Sequence, residues 1–194
     1  MSDYKFKEVD FSNPSIPFII EDWFKNLLGG NIIYKSYFES ITINGNESIL
    51  DFGCGGGTGS KVLAEMLKKG YLTCVDTSKY WTEKARKRLE RFSNVKVICG
   101  DIRQIDIHNK SFDLISIIHV IHDIPPSERQ ETIKALAENL KENGKLFVRE
   151  PVKISHGISK EELESLMKNA GLKRIKHQLN KREYKGEFEF KFQG

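Results

Sequence analysis

Cysteine is scarce in this chain, and its three copies, Cys54, Cys74 and Cys99, are odd in number and widely separated. None forms a C-x-x-C pair, which argues against a disulfide framework and against a cysteine-built zinc site. Cys74 and Cys99 lie in apolar runs and are expected to be small buried thiols. No apolar run approaches the roughly 20 residues that a membrane-spanning helix needs, so no membrane partner is expected. The opening MSDYKFKEVD has no apolar signal-peptide core, and the expected compartment is the cytoplasm. No internal repeat or low-complexity segment interrupts the chain. Charge of one sign is not in large excess either: 31 basic residues against 27 acidic give +4. A balance that mild does not demand a nucleic-acid partner.

What is present suits one domain with a genuine core: 194 residues, 39% hydrophobic and 30% charged. The chain is organised around Ile49 to Ser60, ILDFGCGGGTGS. A short apolar run ends at Asp51, and glycines follow at 53, 55, 56, 57 and 59. A helical pattern then begins with Val62, Leu63, Met66 and Leu67, stopped by Gly70. Strand, tight turn and helix result, with a backbone that can approach a ligand closely and a helix N-terminus beside it. Spacing and charge narrow the ligand. A dinucleotide fingerprint needs glycines at positions 1, 3 and 6; counted from Gly53, Gly55 or Gly57, the sixth position is Thr58, Ser60 or Val62. The phosphate-loop pattern fails as well, because Lys61 follows Ser60 and precedes Val62. Asp51, just ahead of the turn, would repel a pyrophosphate and suits an ammonium or a sulfonium.

The run Asp51-Phe-Gly53-Cys-Gly55-Gly-Gly57 resembles the first motif of the class I S-adenosylmethionine-dependent methyltransferases. That cofactor carries a sulfonium, an ammonium and a carboxylate but no phosphate. Two further acids fall in phase. Asp76 ends the apolar strand Tyr71–Val75, 25 residues after Asp51, where an acid can accept both ribose hydroxyls. Ser78 can cap the following helix, whose buried face carries Trp81, Ala85, Leu89 and Phe92. Asp101 follows the strand Val95–Cys99 after a further 25 residues. There the resemblance implies an acid for the adenine amino group and an apolar cover for the ring, filled by Asp101 and Ile102. The resemblance implies a cofactor set of Asp51, Gly53, Cys54, Gly55, Asp76, Thr77, Tyr80, Asp101, Ile102 and His119, with S-adenosylhomocysteine as product.

The rest of the chain continues the alternation. Phe112 to His119 reads as a buried parallel strand, and Pro126, Ser127 and Gln130 open a helix that Asn143-Gly144 ends. Lys145 to Arg149 is a fifth strand, Ser159–Glu162 a capping box for a helix over 160–170, and Leu172–Leu179 with Tyr184–Phe192 an antiparallel pair. In the last strand Phe188, Phe190 and Phe192 alternate with Glu187, Glu189 and Lys191. The expected fold is α/β: a doubly wound, seven-stranded, mostly parallel sheet with an antiparallel last strand, Rossmann-like. Residues 46–194 form the methyltransferase core. Residues 1–45, with helices over 15–28 and 31–40, form a cap that covers the sheet or serves as a lid, within one domain overall. GKLFVREP followed by SKEELESLMKNAGL resembles the small-molecule branch of the family.

Transfer of a sulfonium methyl is an in-line displacement with an activated leaving group, so alignment of the reactants matters most. A base is needed where the acceptor is protonated. His119, His122 and Asp123, after the fourth strand, are the catalytic candidates, set against a plain hydrogen-bonded loop. No third ligand lies near His119 and His122 in sequence, so no metal is expected. Arg149 and Glu150 are placed to face the acceptor, Arg149 to hold an acidic group. His119-Val-Ile-His122 stands where base-amino methylating enzymes carry Asn/Asp-Pro-Pro-aromatic, which counts against that activity. A small-molecule acceptor is the first expectation. The alternatives are an RNA methyltransferase using the basic stretches 84–91 and 173–185, a protein methyltransferase, an aminopropyl transferase, and a non-catalytic cofactor-binding subunit that activates a partner.

Overall fold

The computed structural model of the chain describes residues 30–107, 110–154 and 156–191. Two compact units divide at Asp101/Ile102 and are described in turn. In the first, helix α1 (Gly30–Glu39) precedes β1 (Ser48–Phe52), α2 (Thr58–Met66), β2 (Tyr71–Asp76), α3 (Lys79–Leu89) and β3 (Val95–Cys99). The strands are parallel in the order β3-β2-β1, with Asp51 opposite Cys74 and Asp76 opposite Cys99. The two acids of β1 and β2 therefore leave the sheet at its carboxyl edge, where α/β sheets bind ligands. Val62, Leu63 and Leu67 of the α2 segment and Trp81, Ala85 and Leu89 of α3 are buried, as their spacing predicts. Ser78 caps α3, its Oγ accepting from the Trp81 N–H at 3.3 Å.

The second unit contains β4 (Phe112–Ile118), a 3-10 turn (Ile121–Asp123), α4 (Pro126–Glu138), β5 (Leu140–Lys153), the two-residue β6 (His156–Gly157), α5 (Lys160–Asn169), β7 (Leu172–Leu179) and β8 (Glu183–Phe190). Its long strands run in the order β4-β5-β8-β7, and β6 pairs with β5. β4 and β5 are parallel, and β8 is antiparallel to both β5 and β7. The mostly parallel α/β fold with an antiparallel end is thus present. β6 makes eight strands among the described residues, one more than the seven expected.

Three local expectations need correction. The helix before β5 ends at Glu138, not at Asn143-Gly144: the Asn139 N–H closes on the Leu136 carbonyl at 3.1 Å, and Leu140 already pairs with Phe112. Asn143, at φ +61, belongs to an irregularity inside the strand. Glu187 alternates like a solvent-facing residue but is buried, clamped by Lys145 at 2.7 Å and Lys176 at 3.1 Å. Its strand lies between two others, so lysines from both neighbours reach it. Cys74 is buried as expected, whereas Cys99 is exposed, because β3 is an outer strand of its unit. Of the N-terminal cap, the helix expected over 31–40 is present as α1, with Tyr37 and Phe38 buried. The helix expected over 15–28 and Phe192 lie outside the described residues.

Gly70 marks a close approach. A Cβ there would collide with the Glu47 carbonyl oxygen and lie 2.9 Å from the Asn46 carbonyl carbon, both backbone atoms with little freedom to move. Gly70→Ala is expected to destabilise the fold by about 1–3 kcal/mol, as overpacking does, read as a fall in the urea midpoint at unchanged m-value.

Candidate functional site

In the first unit the glycine turn is built by its own backbone. Gly53, Gly55 and Gly57 have φ of +69°, +51° and +80°, a region that residues with a Cβ enter at a cost. The Gly53 and Cys54 N–H groups both donate to the Val75 carbonyl, at 2.8 and 3.1 Å, which stitches the turn to the end of β2. Arg88 from α3 donates to the Gly56 carbonyl and, at 2.8 Å, to Thr58 Oγ1. The space around Gly55 is open: a methyl group placed on its Cα would meet no heavy atom within 4 Å.

The acids expected to hold the cofactor occupy different settings. Asp51 is buried, and Oδ2 accepts the Ser60 hydroxyl at 2.6 Å, so this carboxylate also anchors the first turn of α2. Asp76 reaches over the turn: Oδ2 accepts the Gly55 N–H and Oδ1 the Ser78 N–H, each at 2.9 Å. Burial raises the Asp76 pKa, and those two N–H groups only partly offset it. Each oxygen keeps a lone pair beyond the one used, which leaves capacity for a ligand's hydroxyls. Cys54 is a free, half-buried thiol. Its hydrogen bond with Cys74, burial and the nearby Asp51 and Asp76 push its pKa far upward. Thr77 is exposed, and its carbonyl accepts from the Cys99 thiol at 3.6 Å. Tyr80 is half-buried, edge-on to Trp81 at 5.0 Å, with the Lys84 ammonium 4.6 Å from its ring centre. Asp101 is half-buried and Ile102 is buried. Tyr34 of α1 packs against Gly59, within 3.2 Å of where a Cβ would stand.

In the second unit the loop after β4 is fastened by one carboxylate. Glu150, fully buried on β5, accepts from the backbone N–H groups of Val120 and Ile121 at 2.8 and 2.9 Å. It also accepts a longer bond from the His122 N–H at 3.4 Å and pairs with His122 Nδ1 at 2.7 Å. Glu150 is therefore a buried anchor and not the acceptor-facing group expected. Arg149 is likewise occupied, paired with Glu183. Arg129, buried on α4, closes the loop from its other side. It donates to the carbonyls of His122 and Ile124, each at 2.9 Å, and pairs with Glu162 at 2.6 Å.

These anchors bring His122 and Asp123 together, with His122 Nε2 3.4 Å from Asp123 Oδ2. They add a residue that sequence reasoning missed: His156 on β6, whose Nε2 lies 3.0 Å from His122 Nε2. It is 34 residues away in sequence, and only the return of the chain as β6 reveals it. His119 stands at the tip of β4 with φ +57, its ring edge-on to that of His122 with centroids 6.5 Å apart, its N–H on the Arg149 carbonyl at 2.8 Å and Nε2 3.6 Å from Glu183. A non-glycine residue held in that conformation is the kind of strain found at functional sites. Burial lowers the His119 pKa. For His122, burial works downward but the hydrogen bond and charge of Glu150, with Asp123, win and raise it. Burial raises Asp123, although His122 and His156 act against it.

Residues 49–144 match a family model described as a methyltransferase domain. A ubiquinone biosynthesis O-methyltransferase of Coxiella burnetii is 33% identical over 119 residues, which is 60% of this chain and 49% of that one. A carboxy-S-adenosyl-L-methionine synthase of Hydrogenovibrio crunogenus is 29% identical over 125 residues, 62% of this chain and 49% of that one. The chain thus spans about half the length of the curated relatives it matches. Among solved structures, an Aquifex aeolicus protein described as a SAM-dependent methyltransferase superposes with a TM-score of 0.72 at 16% identity, covering 81% of this chain and 89% of that one. At that identity the likeness establishes the fold.

Replacing Glu150 by alanine leaves several buried donors and a buried imidazole without their partner. Glu150→Ala is expected to cost about 3–5 kcal/mol of stability, against much less for the exposed Glu161→Ala, in parallel urea titrations.

Proposed function

We propose, from the premise that this chain belongs to the class I S-adenosylmethionine-dependent methyltransferase family, that it moves a methyl group from S-adenosylmethionine to a small-molecule acceptor. The observation that carries the reading is the carboxylate of Asp76 fixed over an open glycine turn. Its backbone bonds orient it in advance, and its remaining lone pairs suit the two ribose hydroxyls. Asp51, Gly53, Cys54 and Gly55 line the turn that takes the methionine part. Thr77 and Tyr80 follow along the start of α3, and Asp101 and Ile102 serve the adenine. S-adenosylhomocysteine leaves as product.

On the acceptor side we assign His119, His122 and Asp123, with His119 also adjoining the cofactor. In-line displacement asks this cluster to orient the acceptor and relieve it of a proton. Glu150 holds His122 Nδ1, which turns Nε2 toward Asp123 and His156. Small-molecule acceptors are supported by the name of the Coxiella relative, an O-methyltransferase of ubiquinone biosynthesis. The relative named as a carboxy-S-adenosyl-L-methionine synthase supports the cofactor class but offers a second chemistry on it.

Thermal unfolding with S-adenosylmethionine, S-adenosylhomocysteine, NAD and ATP tests the cofactor. A ligand at about 100 times its Kd stabilises by about 2.7 kcal/mol, or roughly 5–10 °C for a chain of this size. A rise with the first two alone is expected; a rise with NAD alone would overturn the assignment. Asp76→Ala should weaken S-adenosylmethionine binding at least about tenfold by calorimetry, as loss of charged hydrogen bonds does. Gly55→Ala should fold at a cost of about 1–2 kcal/mol for its positive φ yet lose binding, because its methyl fills the open space.

A further inference from the structure

The loop anchored by Glu150 has the chemistry of a metal centre, and we propose that His122, Asp123 and His156 bind one divalent first-row transition metal ion of the zinc class. Their ligand atoms all lie within 4.8 Å of one another. His122 Nε2 is 3.0 Å from His156 Nε2 and 3.4 Å from Asp123 Oδ2. Two ligand atoms held about 2.0–2.1 Å from a tetrahedral ion stand about 3.3 Å apart, so the two separations from His122 suit a shared ion, and a small rotation of the exposed His156 side chain brings the third ligand in. Two imidazoles and one carboxylate are a donor set that favours zinc and its neighbours over magnesium or calcium, which prefer oxygen.

The surroundings carry the argument further than the three ligands do. Glu150 binds His122 Nδ1 at 2.7 Å, which places the proton on Nδ1 and leaves Nε2 its lone pair. A carboxylate behind a ligating histidine is the usual device for fixing tautomer and ring orientation at a metal. The rings of His122 and His156 stand at 88° with centroids 4.5 Å apart, a T-shaped arrangement and not a stack, with the two Nε2 atoms 3.0 Å apart. Burial is graded across the cluster: His122 is buried, Asp123 half-buried and His156 exposed. A site of three protein ligands with one side open to solvent is of the catalytic kind, with room for a further ligand. Local sequence could not disclose this, because the third ligand arrives from β6.

Metal binding stands on these residues alone. Its use rests on the methyl-transfer reading: an acceptor hydroxyl taken into the open position would give up its proton to solvent water more readily, and its oxygen would keep a lone pair to attack the methyl carbon as the carbon–sulfur bond breaks. Bound to the ion, His122 Nε2 orients the acceptor through the ion and does not itself take up the proton.

The test uses the full chain stripped with a chelator and dialysed. Zn²⁺ titration by calorimetry is expected to give one ion per chain, and Co²⁺ to give the visible absorption of a tetrahedral or five-coordinate N/O site. The exposed His156→Ala should lower Zn²⁺ affinity at least about a hundredfold, and Glu150→Gln about 10–100-fold, because Glu150 orients a ligand without touching the ion. His177→Ala, on β7, should leave affinity unchanged. Circular dichroism and unfolding midpoints identify any variant that fails to fold, and for such a variant His122→Asn is substituted. No stoichiometric binding by the folded wild type, or equal affinity in folded His156→Ala, would overturn the inference and leave a plain histidine–histidine hydrogen bond. Thermal shift with S-adenosylmethionine is measured on the same stripped sample. Metal binding without cofactor binding would overturn the functional reading instead.

Discussion

A single buried carboxylate governs the loop after β4 in the second unit. Glu150 sits with no solvent exposure on β5 and is surrounded by donors, the Val120, Ile121 and His122 amides and the His122 ring. A charge in that position is tolerable only because every donor is aimed at it, and each donor is aimed because the loop has no other course. The 3-10 turn Ile121–Asp123, the orientation of His122 and its approach to His156 are consequences of this one constraint. Arg129 completes it by taking up the carbonyls of His122 and Ile124 that the turn would otherwise leave buried and unpaired.

The glycine turn in the other unit uses a different set of forces. Its conformation is secured by backbone N–H groups on the Val75 carbonyl and by Arg88 on the Gly56 carbonyl. Positive φ at Gly53, Gly55 and Gly57 lets the chain pass without side chains in the way. Asp76 is held by the turn it faces, through the Gly55 N–H, so the same bond that shapes the turn presets the acid. Preorganisation of this kind reduces the ordering cost that a ligand must otherwise meet. The family likeness over residues 49–144 includes this turn and its strand.

The features legible in the sequence were those written locally. The strands Val95–Cys99 and Leu172–Leu179 occur as read, because alternation and turn residues bound them on both sides. The serine caps at 78 and 159 are present because capping needs only three residues of neighbouring chain. Misreadings arose where a distant strand supplied the deciding partner. Glu187 has the pattern of an outward residue, yet lysines from β5 and β7 bury it. Asn143-Gly144 looks like a helix stop, yet pairing of Leu140 with Phe112 ends the helix earlier.

The candidate site divides along the same line. By itself the sequence determined the glycine turn, the positions of the acids at 51, 76 and 101, and the strand that ends just before His119, since periodicity and backbone preference act over a few residues. Only the tertiary structure decided that Asp51 is tied to Ser60, that Glu150 is an anchor and that His156 meets His122. Those outcomes depend on burial and on partners 9 to 34 residues away, which no local pattern encodes. Charge and hydrogen bonding act through space, and the space is made only when the strands have paired.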